Sequence, residues 1–101
     1  MKTIVAAVKE PGRGWEKRDV PDSLENWQGI VGGYIEGFYT TADGVHLFCN
    51  EEGKILGLTP NLMMPWGDAI AGTVFAVRDS GDGEFASLTA DDLRRLGMTE
   101  E

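Results

Sequence analysis

The sequence predicts an α+β fold: one small domain, an antiparallel-rich sheet of about five strands with one packed helix and a short C-terminal helix. Three observations carry this. Short apolar runs with two-residue alternation are punctuated by Gly and Pro, an Asp-Gly turn separates two of them, and a single stretch shows helical spacing. A chain of 101 residues has room for one domain, spanning 1–101, and one modest core.

KTIVAAV (Lys2–Val8), rich in small and β-branched residues, reads as a central strand, and EPGRG (Glu10–Gly14) as the turn after it. WEKRDV (Trp15–Val20) completes a hairpin. Asp22 and Glu25 are spaced as a capping box opening a short helix. Leu24, Trp27, Ile30 and Val31 form its apolar face, and Gly32-Gly33 end it. YIEGFYT (Tyr34–Thr40) and VHLFCN (Val45–Asn50) flank Asp43-Gly44, the strongest hairpin signal in the chain. Asn50-Glu51-Glu52-Gly53 fits a tight turn with Gly53 at positive φ. AGTVFAVRD (Ala71–Asp79) is a further strand, FASL (Phe85–Leu88) a short edge strand, and Thr89 caps a terminal helix with Asp91 and Asp92 at its positive end.

Net charge is −8, with five basic and seven acidic side chains in residues 1–50 and four and ten in 51–101. That balance disfavours nucleic-acid binding, which needs a basic footprint. No apolar run approaches a membrane span, and the apolar N-terminal stretch stops at Lys9-Glu10, so the expectation is a cytoplasmic protein without a membrane segment. One cysteine and one histidine exclude an internal disulfide and a Cys/His zinc site. Three positions apart on a strand, His46 and Cys49 point to opposite faces, so they cannot pair as base and nucleophile within the segment. Cys49 is expected to be a buried apolar side chain.

No phosphate-cradling loop or cofactor motif is present. Gly12-Arg13-Gly14 lacks the Lys-Ser/Thr of a P-loop, and the Asp79–Glu84 loop departs from the calcium-loop spacing at Gly81. No metal site and no catalytic set is expected. Trp15 with Lys9, Arg13, Lys17 and Arg18 offers a weak nucleotide-stacking pattern whose plainer reading is a solvated strand pair.

The unusual segment lies between Lys54 and Arg78, where 23 residues contain one charge, Asp68. Pro60 and Pro65 argue against a helix or central strand there, which places Leu62, Met63, Met64 and Trp66 on a loop. Such a loop either lids the sheet or presents an apolar surface to a partner, and Met and Trp suit both roles. Asp68 either caps a surface turn or, if buried, joins Asn50, Asn61 and Thr73 as a binding residue.

VGGYIEGFY, the Asp-Gly turn with VHLFCNEEGKILGL, the Pro-Asn pair and DAIAGTVFAV together resemble the family catalogued as domain of unknown function 3846, over most of the chain. The resemblance implies a compact α+β fold and a phage, plasmid or bacterial setting. It brings no catalytic residue. Its marks, Gly33, Asn50, Gly53, Asn61, Gly72 and Thr73, are rich in turn-forming types. The Trp-bearing loop and the short acidic tail depart from the family pattern. The expectation is a non-enzymatic interaction protein that binds, and by the mobile-element setting inhibits, a host protein through the Leu62–Trp66 loop or an acidic face, or that pairs with a second copy through that loop. A binder of a small signalling nucleotide is the alternative, and an enzyme using Glu51, Glu52, Asp68 or Cys49 the last.

Overall fold

The computed structural model describes residues 2–98. Ten elements follow in order: β1 (Thr3–Lys9), β2 (Trp15–Pro21), α1 (Leu24–Val31), β3 (Ile35–Thr40), β4 (Val45–Asn50), β5 (Pro60–Met63), β6 (Ala69–Ala71), β7 (Val74–Asp79), β8 (Phe85–Ala86) and α2 (Ala90–Arg95). The main sheet runs β2-β1-β7-β4-β3 with β8 added on β7, and every pairing is antiparallel. The α+β class, the main helix and the short terminal helix are as the sequence predicts.

Burial explains the strand order. Val74, Phe75, Ala76 and Val77 are all buried, so β7 shows no alternation and lies in the sheet centre between β1 and β4. One face of the sheet meets α1. Trp27 stacks on Phe75 at 4.8 Å between ring centroids and meets Phe85 edge-on at 5.1 Å, among Ile4, Val8, Val20 and Val31. The other face has two covers. Leu88 and Leu93, the latter on α2, pack on Ala7, Val45, Leu47 and Ala76, while Met64 and Ile70 pack on Cys49 and Val74. Trp15 and Phe38 touch both of these clusters.

Five local expectations are corrected. Ser23, not Asp22, caps α1: its extended backbone lets Oγ accept from the Asn26 amide at 3.2 Å. Asp22 instead accepts from Trp27 Nε1 at 2.9 Å, satisfying an indole N–H that burial would otherwise strand. Leu24, on the same stripe by spacing, is exposed at the first position of the helix, while Trp27 and Val31 are the residues it buries.

Of the residues expected on a loop, Leu62 and Met63 lie instead in a strand, β5, which forms a hairpin with β6 and sets Pro60 opposite Ala71, while Met64 and Trp66 lie in the turn between them. Pro60 is tolerated because it is the first residue of its strand. The long strand expected from Ala71 to Asp79 is correspondingly broken at Gly72, so that Ala71 ends β6 and Val74 begins β7. Gly53 does not adopt positive φ; in this turn Gly57 does, at 72°. Glycine is required at position 53 for space, since a Cβ there would sit 2.8 Å from the Ala71 carbonyl oxygen.

Candidate functional site

The site begins with an irregularity in β3. Pairing with β4 runs Glu36↔Cys49 and Gly37↔Phe48, then skips to Tyr39↔Leu47, leaving Phe38 as the extra residue of a bulge. A bulge re-aims the side chains around it. Phe38 therefore turns into the core under the β5–β6 hairpin, and Tyr39 lands on the same side, at the rim. There its ring lies 5.7 Å from that of Trp66, at 47°.

The hairpin resolves lid against display residue by residue. Leu62 and Met64, two apart, point inward: Leu62 is half-buried and Met64 is 7% exposed. Met63 between them is 70% exposed, and Trp66 in the turn 57%. Met64 is thus a core residue and not a contact surface. Met63, Trp66 and Tyr39 are what the region offers to solvent.

Beside this patch a cleft of about 320 Å³ opens between β3, the end of β4, the 51–55 turn and β6. Its charged lining is Glu36, Glu51, Glu52 and Asp68 against one cation, Lys54, which is ion-paired with Asp68. Asp68 also anchors the hairpin turn, its carbonyl accepting from the Met64 amide at 2.8 Å. Asp68 is a half-exposed surface group with a specific donor.

Cys49 lies at the floor of the cleft, 6% exposed. Burial pushes its thiol up to about 11, and the negative fields of Glu36 and Asp68 act in the same direction against Lys54. A thiol held there is protonated at neutral pH and is a poor nucleophile. His46 is turned to the opposite face, where it lies 3.1 Å from Thr40 Oγ1 and 3.8 Å from Asp79.

The polar residues singled out in the sequence do not converge. Asn50 is buried, donating to the Val31 carbonyl at 3.1 Å and accepting from the Glu52 amide at 2.7 Å; it ties the end of α1 to the turn. Asn61 accepts from Lys9 Nζ at 2.6 Å and donates to the carbonyls of Lys9 and Gly72 at 2.7 and 2.9 Å, clamping β5 to β1. Thr73 lines a separate depression with Pro11, Leu58 and the end of α1. Only Asn50 and Asp68 of this set line the cleft. Two of the four bases near Trp15 are engaged, Lys9 by Asn61, and Arg18 by Glu16 at 2.8 Å and Glu10 at 3.1 Å, Arg13 and Lys17 are exposed, and Trp15 is half-buried.

In the Asp79–Glu84 loop, Asp79 Oδ1 accepts from the amides of Gly81 and Gly83, so its carboxylate is folded onto its own backbone. Among the described residues no three His, Cys, Asp or Glu side chains group closely enough to hold a metal ion, and no helix is long and apolar enough to cross a membrane.

Two features escaped sequence reasoning. The Phe38 bulge broke the alternation that would have put Tyr39 on the far face, and the cleft joins residues from positions 36 to 71. The one available signal was the run of adjacent aromatics Phe38-Tyr39 beside a strand glycine.

These features define a small α+β protein with an acid-lined cleft and an aromatic rim at one sheet edge. The model of the domain of unknown function family DUF3846 matches residues 1–99, and the chain belongs to that family. No curated protein and no solved structure matches it.

Proposed function

We propose that this protein is a non-enzymatic interaction protein that engages another protein through the surface made by Tyr39, Met63 and Trp66. One observation carries the reading: Trp66 is 57% exposed while braced against Tyr39, a large aromatic area held in place but left uncovered. Aromatic and Met side chains dominate the centres of protein interfaces, because they offer much contact area for little lost rotamer freedom. The protonated Cys49 thiol, turned away from His46, supports the non-enzymatic side of the reading. In the mobile-element setting that the sequence resemblance implies, the partner is a host protein, a component of a defence system included, and binding inhibits it.

The nucleotide alternative is disfavoured by charge, since phosphates entering the cleft would meet four carboxylates and one paired lysine. Capture from host lysate on immobilised wild type and Trp66→Ala, with quantitative mass spectrometry, tests the proposal. A partner retained by wild type and lost by the variant supports it; identical partner sets overturn it. Sedimentation of both proteins covers pairing with a second copy: a wild-type dimer that becomes monomeric in the variant makes the partner this same chain.

A further inference from the structure

Strand β3 is an edge of the sheet, and its edge is unguarded. The Tyr34 carbonyl accepts from the Glu51 amide at 2.9 Å, which sets the phase of the ladder. Backbone groups of Tyr34 and Glu36 turn toward β4, and those of Ile35 and Gly37 turn outward, with no strand among the described residues to pair with. Natural sheets blunt such edges with charge and Pro. The opposite edge, β2, does so: Glu16-Lys17-Arg18-Asp19 are four consecutive charges, and Pro21 closes the strand. β3, IEGFYT, has one charge, Glu36, and no Pro or Lys. The two edges of one sheet are thus treated differently.

Resting on the interaction reading above, we infer that β3 accepts an extended, basic segment of the partner protein as an added strand. The segment pairs with the outward groups of Ile35 and Gly37 up to the Phe38 bulge, where the regular ladder stops. Alternate side chains of an added strand point to one face of the sheet. On the cleft side these meet Glu36, Glu51, Glu52 and Asp68, which suit Lys or Arg, and beyond the bulge an apolar residue meets Tyr39 and Trp66.

Charge argues for this occupant over a second copy. An antiparallel pairing of two β3 edges would bring the Glu36 regions of two copies together, each on a chain of net charge −8. Like charges placed across an interface work against the pairing.

Selection of random dodecapeptides displayed on phage against the full chain tests the inference. The expected result is enrichment of peptides with alternating Lys or Arg and an apolar residue near one end. A synthetic copy of an enriched peptide should protect the Ile35 and Gly37 amides from hydrogen exchange. Its affinity should fall by about tenfold or more in Trp66→Ala and in Glu36→Lys, as for the loss of a hot-spot contact or the reversal of a facing charge. No enrichment, enrichment of acidic peptides, or unchanged exchange at Ile35 and Gly37 with peptide bound overturns the inference. If that happens while Trp66→Ala still loses a partner from lysate, the extended-segment mode falls and the interaction reading stands. If neither experiment depends on Trp66, both fall.

Discussion

Arg78 holds both carboxylate oxygens of Asp92, Nε to Oδ2 at 2.6 Å and Nη2 to Oδ1 at 2.8 Å, and the Asp92 side chain is fully buried. The same carboxylate accepts from the Thr89 amide at 2.8 Å, closing the capping box of α2, while Arg78 Nη1 donates to the Asp43 carbonyl at 2.7 Å. One pair therefore fastens the terminal helix and the β3–β4 turn to the central strand.

Arg78→Ala strips that buried carboxylate of both guanidinium hydrogen bonds and leaves Arg95, 3.8 Å from Oδ1, as the nearby cation. Loss of about 3 kcal/mol of stability is expected in urea unfolding. The guanidinium, followed by the Thr89 groups, holds the Asp92 carboxyl below the usual carboxylate range against the opposing effect of burial. A carboxyl depressed in the folded state stabilises fully above its unfolded value, about 3.9, and ceases to as pH falls through the folded value. Acid unfolding of wild type should steepen below that point, and Asp92→Asn should flatten this limb while lowering stability at neutral pH.

Cys49 follows the opposite sign. A thiol pushed up to about 11 keeps its proton in the folded chain when the unfolded thiol, at about 8.5, has lost it. Stability is expected to decline as pH rises from the unfolded value toward the folded one, and Cys49→Ala should remove that decline. Iodoacetamide at neutral pH should label the native thiol far more slowly than the thiol in urea.

Gly53 and Gly57 lie in one turn but resist substitution for different reasons. Gly53→Ala drives a methyl group against the Ala71 carbonyl, a backbone atom that cannot swing aside, and should cost about 2 kcal/mol or more. Gly57→Ala meets no neighbour within 4 Å and bears only its positive φ, about 1 kcal/mol. The order of the two midpoints in urea checks the assignment.

Asn61→Ala removes three hydrogen bonds at once and leaves the carbonyls of Lys9 and Gly72 without that donor. A loss of about 2 kcal/mol is expected, with partner capture unchanged, because Asn61 serves the fold.

Trp66→Ala and Trp27→Ala separate display from core. Trp27, 2% exposed and stacked on Phe75, should cost about 3–5 kcal/mol when truncated. Trp66, more than half exposed, should cost about 1 kcal/mol, the scale of its contact with Tyr39. Thermal unfolding of the two variants compares them directly. A nucleotide panel should leave the wild-type midpoint where it is; a shift at saturating ligand would revive the nucleotide reading, since a ligand at a hundred times its Kd stabilises by about 2.7 kcal/mol.

What could be read along the chain was what neighbours in sequence decide. The Asp43-Gly44 hairpin, the Thr89 cap, the helix stop at Gly32 and the buried Cys49 each depend on a few adjacent residues, and each stands in the structure. Where two local options were close in energy, contacts from elsewhere chose. The Trp27 indole claimed Asp22, so Ser23 became the cap, and pairing with Ala69–Ala71 drew the Pro60 segment into a strand.

The candidate site lay beyond local reading for the same reason. Composition and alternation determined an α+β chain with one apolar, nearly uncharged stretch and a surplus of carboxylates. Only the tertiary structure decided that the Phe38 bulge turns Tyr39 toward Trp66, that Glu36 shares a cleft with Asp68, and that Asp92 is buried on Arg78. These relations join residues 14 to 32 positions apart. Their energies exist only after the chain has closed the intervening loops, and no local propensity encodes that closure.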